Sequence, residues 1–202
     1  MQRIDAVKVI ASFFTPEDLC VSSLGAIHQD WWNHAPPIGN TFNPIILGSI
    51  TTTALGLALA LPHRKILALE TDGSVLMNTG ALCTLGSQRP GNLTVVVMDN
   101  GLYEIIGGPP SLTSHNTDLA KMADGAGCIN TVTIRDVDNL QREFGKMWND
   151  DEMAFIVAKI EPGMYRWAAE QLKTTDGVED KYRFIRYIEK LENIVIHPGS
   201  QR

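Results

Sequence analysis

The chain has 202 residues, 44% of them hydrophobic, with a formal net charge of −6, so it can bury one good core and is most simply one domain with an extension. The acidic balance, with no basic cluster, argues against nucleic acid as the main partner. No run reaches the roughly 18 apolar residues of a membrane span, and the start, Met-Gln-Arg-Ile-Asp, lacks a signal peptide's apolar stretch, so a cytoplasmic protein is expected.

In chain order, apolar residues at near-helical spacing predict a helix over 4–14, closed by Thr15-Pro16-Glu17-Asp18. Residues 19–23 read as a short buried strand, and 26–33 as a short helix opening at Gly25, which is either a phosphate-facing turn or a plain strand-to-helix turn. Three prolines make 34–44 a loop. A strongly apolar helix then runs to Ala60, and its small residues Ala54, Gly56, Ala58 and Ala60 permit close packing against a sheet or a second protomer. A strand over 65–70, a helix over 75–87 and a strand over 93–98 follow, the last rich in β-branched residues, as a parallel strand covered on both faces should be. The long segment 104–116 reads as a functional loop with Gly107-Gly108 as the hinge of a lid. A helix over 118–126, a strand over 131–134, a helix over 137–148 and a strand over 154–160 complete the alternation. The expected fold is therefore α/β, a doubly wound, mostly parallel sheet with helices on both faces.

The character changes at Pro162, which divides a 1–162 α/β domain from a 163–202 helical extension. Within the extension, 164–172 reads as a helix, 174–178 as a turn, and 181–191 as an amphipathic helix. Cys20, Cys83 and Cys128 lie far apart with no Cys-x-x-Cys pair and read as reduced thiols inside apolar runs. The five histidines show no metal-ligand spacing, which argues against a zinc site.

Chemistry concentrates at two strand ends. Glu70-Thr71-Asp72-Gly73-Ser74 closes one apolar run, and Met98-Asp99-Asn100-Gly101-Leu102-Tyr103 closes the next. Strand carboxyl ends are where open α/β sheets bind ligands. The Asp72 carboxylate, the Asn100 side-chain carbonyl and the backbone carbonyl of Leu102 are three hard oxygens of the kind Mg²⁺ takes while keeping part of its shell for phosphate and water. The alternative is a pair of ordinary Asp-Gly and Asn-Gly turns.

These residues resemble the Gly-Asp-Gly to Asn-Asn signature of thiamine-diphosphate-dependent enzymes. Asp72 and Asn100 stand 28 positions apart and Leu102 two further on; the sequence departs from the signature at Thr71, where Gly is usual, and at Asp99, where Asn is common. The resemblance implies that Asp72, Asn100 and Leu102 hold Mg²⁺, with Gly25, Gly73, Ser74 and Tyr103 completing the cofactor cradle. Gly48-Ser49-Ile50 resembles the family's Gly-x-hydrophobic element, which implies that the Gly48 carbonyl accepts from the cofactor's amino group, Ser49 lies against the cofactor and Ile50 wedges under its two rings, with Leu47 as the fallback wedge. Gly48 and Ile50 are thus the catalytic candidates of this chain.

Longer runs narrow the likeness: Leu47-Gly-Ser-Ile, Thr71-Asp-Gly-Ser-Val-Leu-Met-Asn-Thr-Gly, Arg89-Pro-Gly-Asn-Leu-Thr, Lys159-Ile-Glu-Pro-Gly and Lys181-Tyr-Arg-Phe-Ile-Arg-Tyr-Ile-Glu are similar to the sulfopyruvate and phosphonopyruvate decarboxylases. In the sulfopyruvate enzymes the catalytic unit is split over two chains, and this chain resembles the beta chain. The resemblance implies a 2-oxo acid decarboxylase using thiamine diphosphate and Mg²⁺, releasing an aldehyde and CO₂. It also implies self-association and a pyrimidine-binding, alpha-type partner that supplies the activating Glu, for whose domain these 202 residues leave no room. Open alternatives are a carboligating subunit of the acetolactate synthase type and a non-catalytic structural or regulatory homologue; a plain nucleotide-binding module is disfavoured because no Gly-x-Gly-x-x-Gly or Walker sequence is present.

Overall fold

In the computed structural model, which describes residues 1–35, 38–163, 166–172 and 176–196, one six-stranded sheet runs in the order β2-β1-β3-β4-β6-β5 with every neighbouring pair parallel. Its strands are β1 (Leu19–Ser22), β2 (Thr41–Phe42), β3 (Ile66–Thr71), β4 (Leu93–Asp99), β5 (Thr131–Ile134) and β6 (Ala154–Lys159). The helices are α1 (Arg3–Phe13), α2 (Ala26–His34), α3 (Ile50–Ala60), α4 (Asp72–Met77), α5 (Gly80–Gln88), α6 (Leu119–Gly125), α7 (Val137–Trp148) and α8 (Gly177–Glu192). No helix among the described residues is long and apolar enough to cross a membrane.

Two apolar clusters sandwich the sheet. Strand residues alternate between faces, so Leu67, Leu69, Val96, Met98, Ile156 and Ala158 join Val7, Ile10, Trp31 and Phe144 on one side, while Ile66, Ala68, Val95, Val97, Phe155 and Val157 join Ile50, Leu85, Leu119 and Phe184 on the other. Both faces of β3 and β4 are covered, which accounts for their apolar runs at 66–69 and 95–98. Helix starts are set by side-chain caps: Asp118, Asp136 and Asp176 accept from the backbone amides of Lys121, Asn139 and Val178.

The expected helix over 75–87 is two helices in the structure. Asn78 leaves helical geometry at φ −147°, ψ 62°, and its side chain turns to donate to the Gly48 carbonyl. The short edge strand β2, inside the proline-rich loop, pairs with β1 through Cys20–Thr41 and Val21–Phe42 and was not expected. Among described residues of the expected 164–172 helix there is one 3-10 turn, Ala169–Gln171; Met164 and Tyr165 lie outside the described residues, as do Thr174 and Thr175 of the expected turn. The amphipathic helix of the tail is longer than expected, and through Phe184 and Ile188 it joins the main core, with Phe184 stacked on Phe42 of β2.

Candidate active site

Strand order reverses direction between β1 and β3: the chain goes from β1 outward to β2 and then returns to the other side of β1 as β3. A crevice at the carboxyl ends of such a pair is the general ligand position of open α/β sheets. Here it is a cleft of about 230 Å³, lined from the β1 side by Leu24, Ala26 and Ile27 and from the β3 side by Thr71, Asp72, Gly73 and Ser74. Asn100, Leu102 and Tyr103 enter from the end of β4, and Leu47, Met77, Ile105 and Ile106 from the flanking segments.

Register explains the meeting of the two turns. Thr71 stands opposite Met98, so the next residues, Asp72 and Asp99-Asn100, leave adjacent strands side by side. Asp72 is 2% exposed, and its Oδ2 accepts from Ser111 Oγ at 2.5 Å and Thr113 Oγ1 at 3.1 Å. Burial pushes its carboxyl above the usual carboxylate range, the Ser111 hydroxyl pulls it back, and the negative Asp99 pushes it up again. Asp99 accepts from Thr113 at 2.7 Å and pairs with Lys159, its cross-strand partner on β6. Of these two buried, mutually repelling carboxylates, Asp99 is neutralised by Lys159 while Asp72 is held by hydroxyls alone, an arrangement that an added cation beside Asp72 relieves.

Asn100 Oδ1 accepts the Leu102 N–H at 2.9 Å, an Asx turn that leaves one carbonyl lone pair free. A Cβ at Gly73 would lie 2.6 Å from the Tyr103 ring and would force that ring to move, and Ser74 Oγ accepts the Gly48 N–H at 3.0 Å. Thr71 sits comfortably where a glycine is usual: its φ of −120° and ψ of 156° are extended, and its hydroxyl caps α4 by accepting the Ser74 N–H. Gly25 adopts φ +90° at the start of α2, beneath Ile105.

The Gly48-Ser49-Ile50 element reaches the site in part. Gly48 holds φ +79° against Asn78, and Leu47 lines the cleft. Ile50, at the first turn of α3, is fully buried in the core cluster with Leu19, Val21 and Ile66 and does not line the cleft. Ser49 is half-buried, and its hydroxyl donates to the Ile46 carbonyl.

Sequence reasoning missed Ser111, Thr113, Lys159 and Glu70. Glu70, 1% exposed, accepts the Thr51 N–H and hydroxyl at 3.0 and 2.9 Å, tying the start of α3 to the end of β3. A carboxylate two residues before Asp72, at the end of the apolar run 66–69, was the available signal for it. The loop 104–116 folds back as a small hairpin, with Tyr103 N–H bonded to Pro109 O at 2.9 Å and Ser111 N–H to Gly101 O at 2.7 Å. Gly107 and Gly108 close it at φ +100° and +79°.

These oxygens fit a hard divalent cation bound with a diphosphate. Among the described residues no group of three or more His, Cys, Asp and Glu gathers, so a metal here needs carbonyl, phosphate and water oxygens beside the single Asp72 carboxylate. Residues 28–158 match the family described as thiamine pyrophosphate enzyme, C-terminal TPP binding domain, and the chain belongs to that family. Its relatives include the beta subunit of sulfopyruvate decarboxylase from Methanocaldococcus jannaschii, 30% identical over 189 residues that cover 94% of this chain and 98% of that subunit. The sulfopyruvate decarboxylase of Methanosarcina acetivorans is 28% identical over 81% of this chain but only 42% of its own length. The phosphonopyruvate decarboxylase of Streptomyces viridochromogenes is 35% identical over 58% of this chain and 29% of its own. Among solved structures, a thiamin diphosphate-dependent enzyme from Mycobacterium smegmatis shares the fold with a TM-score of 0.69 at 21% identity, covering 81% of this chain and 32% of that one.

Proposed function

We propose that this chain is the diphosphate-binding subunit of a two-chain, cytoplasmic 2-oxo acid decarboxylase that uses thiamine diphosphate and Mg²⁺. What carries the reading is the placement of Asp72 and Asn100 on adjacent strand ends with the Leu102 carbonyl two residues on, in a chain whose length matches a decarboxylase beta subunit. Asp72, Asn100 and Leu102 would hold the cation, Gly73 and Ser74 would receive the diphosphate, and Gly25, Gly48, Ser49 and Tyr103 would frame the rings, supported by Leu47 with Ile50 beneath. When bound, the cofactor supplies the electron sink into which the carboxyl–carbonyl bonding pair moves. This chain's residues bind and orient it, and the apolar wall of Leu47, Met77, Leu102, Ile105 and Ile106 keeps water from the reacting carbon. The C–C bond breaks, CO₂ departs, and a proton taken up at the same carbon gives the aldehyde.

The cleft's volume of about 230 Å³ is below the ~300–1,000 Å³ typical of small-molecule sites, as one wall of a shared cavity should be. Its one basic lining residue among those described, Arg3, is bonded to Asp30 at 2.7 Å and faces Glu104 at 3.5 Å. We therefore assign recognition of a sulfonate or phosphonate on the substrate to the pyrimidine-binding partner, which also contributes the activating Glu. The reading is tested by assaying CO₂ and aldehyde release from sulfopyruvate and phosphonopyruvate with this chain alone, the partner alone and both together. Activity only from the pair is expected, and full activity from this chain alone would overturn the split site.

A further inference from the structure

We propose that Ser111 is a positioning residue that couples two of the cation-holding groups, orienting the Asp72 carboxylate with its side chain and the Leu102 carbonyl through its backbone. The inference rests on the cofactor reading above and adds a residue outside the motif that carries it.

Proton counting singles out Ser111. Four contacts converge on two hydroxyls: Ser111 Oγ to Asp72 Oδ2 at 2.5 Å, Thr113 Oγ1 to Asp72 Oδ2 at 3.1 Å, Thr113 Oγ1 to Asp99 Oδ1 at 2.7 Å, and Ser111 Oγ to Thr113 Oγ1 at 2.9 Å. Each hydroxyl has one proton: the shortest bond of Thr113 gives its proton to Asp99, and that of Ser111 gives its proton to Asp72 and not to Thr113. Ser111 is then the hydroxyl that holds Asp72, and by occupying Oδ2 it fixes which oxygen remains for a cation. A carboxylate left to rotate would have to be ordered again each time a metal bound.

The backbone argument is independent of the side chain. Tyr103 N–H is spent on Pro109 O at 2.9 Å, and in a trans peptide the C=O points opposite the N–H. The Leu102 carbonyl, which belongs to that same peptide, is thus turned away from the returning strand. Ser111 N–H to Gly101 O at 2.7 Å and the Leu102–Pro110 bridge hold the hairpin in this register. Ser111 is 1% exposed, so both of its bonds are sheltered from water. One residue at the return of the loop therefore sets a side-chain ligand from β3 and a backbone ligand after β4.

Partners that orient metal ligands typically contribute about 10–100-fold to metal affinity. The test uses the complex of this chain with its partner: Mg²⁺ is titrated calorimetrically at saturating thiamine diphosphate, and melting is recorded with and without both. Ser111→Ala is expected to weaken Mg²⁺ binding by about 10–100-fold, and Ser111→Thr, which restores the hydroxyl, to return it to within a few-fold of the parent. The melting shift produced by Mg²⁺ and cofactor, taken for each variant against its own metal-free form, keeps the comparison valid if Ser111→Ala is less stable. Asp72→Ala separates the two levels of the argument. If Asp72→Ala binds Mg²⁺ as the parent does, the cofactor reading is wrong. If Asp72→Ala loses Mg²⁺ but Ser111→Ala binds normally and shows a full ligand-induced shift, Ser111 is only a loop clasp and the coupling proposal is overturned.

Discussion

Asn78 Nδ2 donates to the Gly48 carbonyl over 2.8 Å, while the Gly48 N–H donates to Ser74 Oγ. Both polar groups of one glycine are thereby clamped by the α4–α5 corner, and the helix break at Asn78 is what frees its side chain to do so. A carbonyl keeps a second lone pair, so Gly48 can accept from a ligand amine while staying fixed. Asn78→Ala is expected to lower stability by about 1 kcal/mol, the net worth of an ordinary hydrogen bond, and to weaken cofactor binding by releasing the carbonyl. Asn78→Asp should be worse, because it sets an acceptor against an acceptor. Thermal melting and thiamine diphosphate titration of the two variants check the order; equal affinities in both would show that the clamp does not serve the cofactor.

Leu47 and Ile50 present a separable pair. Ile50 is fully buried, so Ile50→Ala is expected to cost about 2–5 kcal/mol of stability. Leu47 is half-buried on the cleft wall, so Leu47→Ala should leave melting nearly unchanged and slow turnover by disordering the bound rings. Turnover and melting measured together decide it. A rate collapse in Ile50→Ala at a temperature where the variant is fully folded would return the wedge to Ile50.

Much of this was legible because it is local. The strand at 131–134 and the helix at 137–148 fall where the alternation of elements put them, and the 28-residue interval between Asp72 and Asn100 survives folding as a register, Thr71 against Met98. The edge strand β2 was hidden because two residues flanked by prolines show no period. Ser111 and Thr113 were hidden for a different reason: their bonds to Asp72 span 39 and 41 residues and depend on the loop turning back at Gly107-Gly108. Nothing in the spacing of a loop says where its return leg lands. Lys159 carried a signal only in hindsight, as a cation at the end of a strand that pairs with Asp99 in register.

Arg3 is the buried hub that fastens the mouth of the cleft. It binds Asp30 of α2 at 2.7 Å and the Gly163 carbonyl at 3.1 Å and faces Glu104, while Asp30 also accepts from Trp167. Removing one member of a buried pair leaves the other charge uncompensated, so Arg3→Ala is expected to cost about 3–5 kcal/mol. Because Glu104 opens the hairpin loop, faster amide exchange at residues 104–108 should accompany the loss. A double variant, Arg3→Ala with Asp30→Ala, should recover part of the stability, and failure to recover any would show that the guanidinium acts through packing instead of charge.

Glu70 makes stability depend on pH. Burial raises its carboxyl above the usual range, and the hydroxyls of Ser74 and Thr51 offset this only in part. Its Oε2 is buried without a hydrogen-bond partner among the described residues. A carboxyl whose folded pKa exceeds its unfolded one takes up protons more readily in the native state, so its contribution is fully present below the ordinary carboxyl value of the unfolded chain and is lost as pH rises through the raised value. Glu70→Gln keeps an acceptor for Thr51 and carries no charge at any pH. Metal-free Glu70→Gln is therefore expected to melt at or above the parent at pH 8, with the difference shrinking and then reversing toward pH 4. Asp72, raised in the same direction, is present in both proteins and cancels from the difference. A difference in melting temperature that stays constant across this range would show that Glu70 does not change its ionisation on folding.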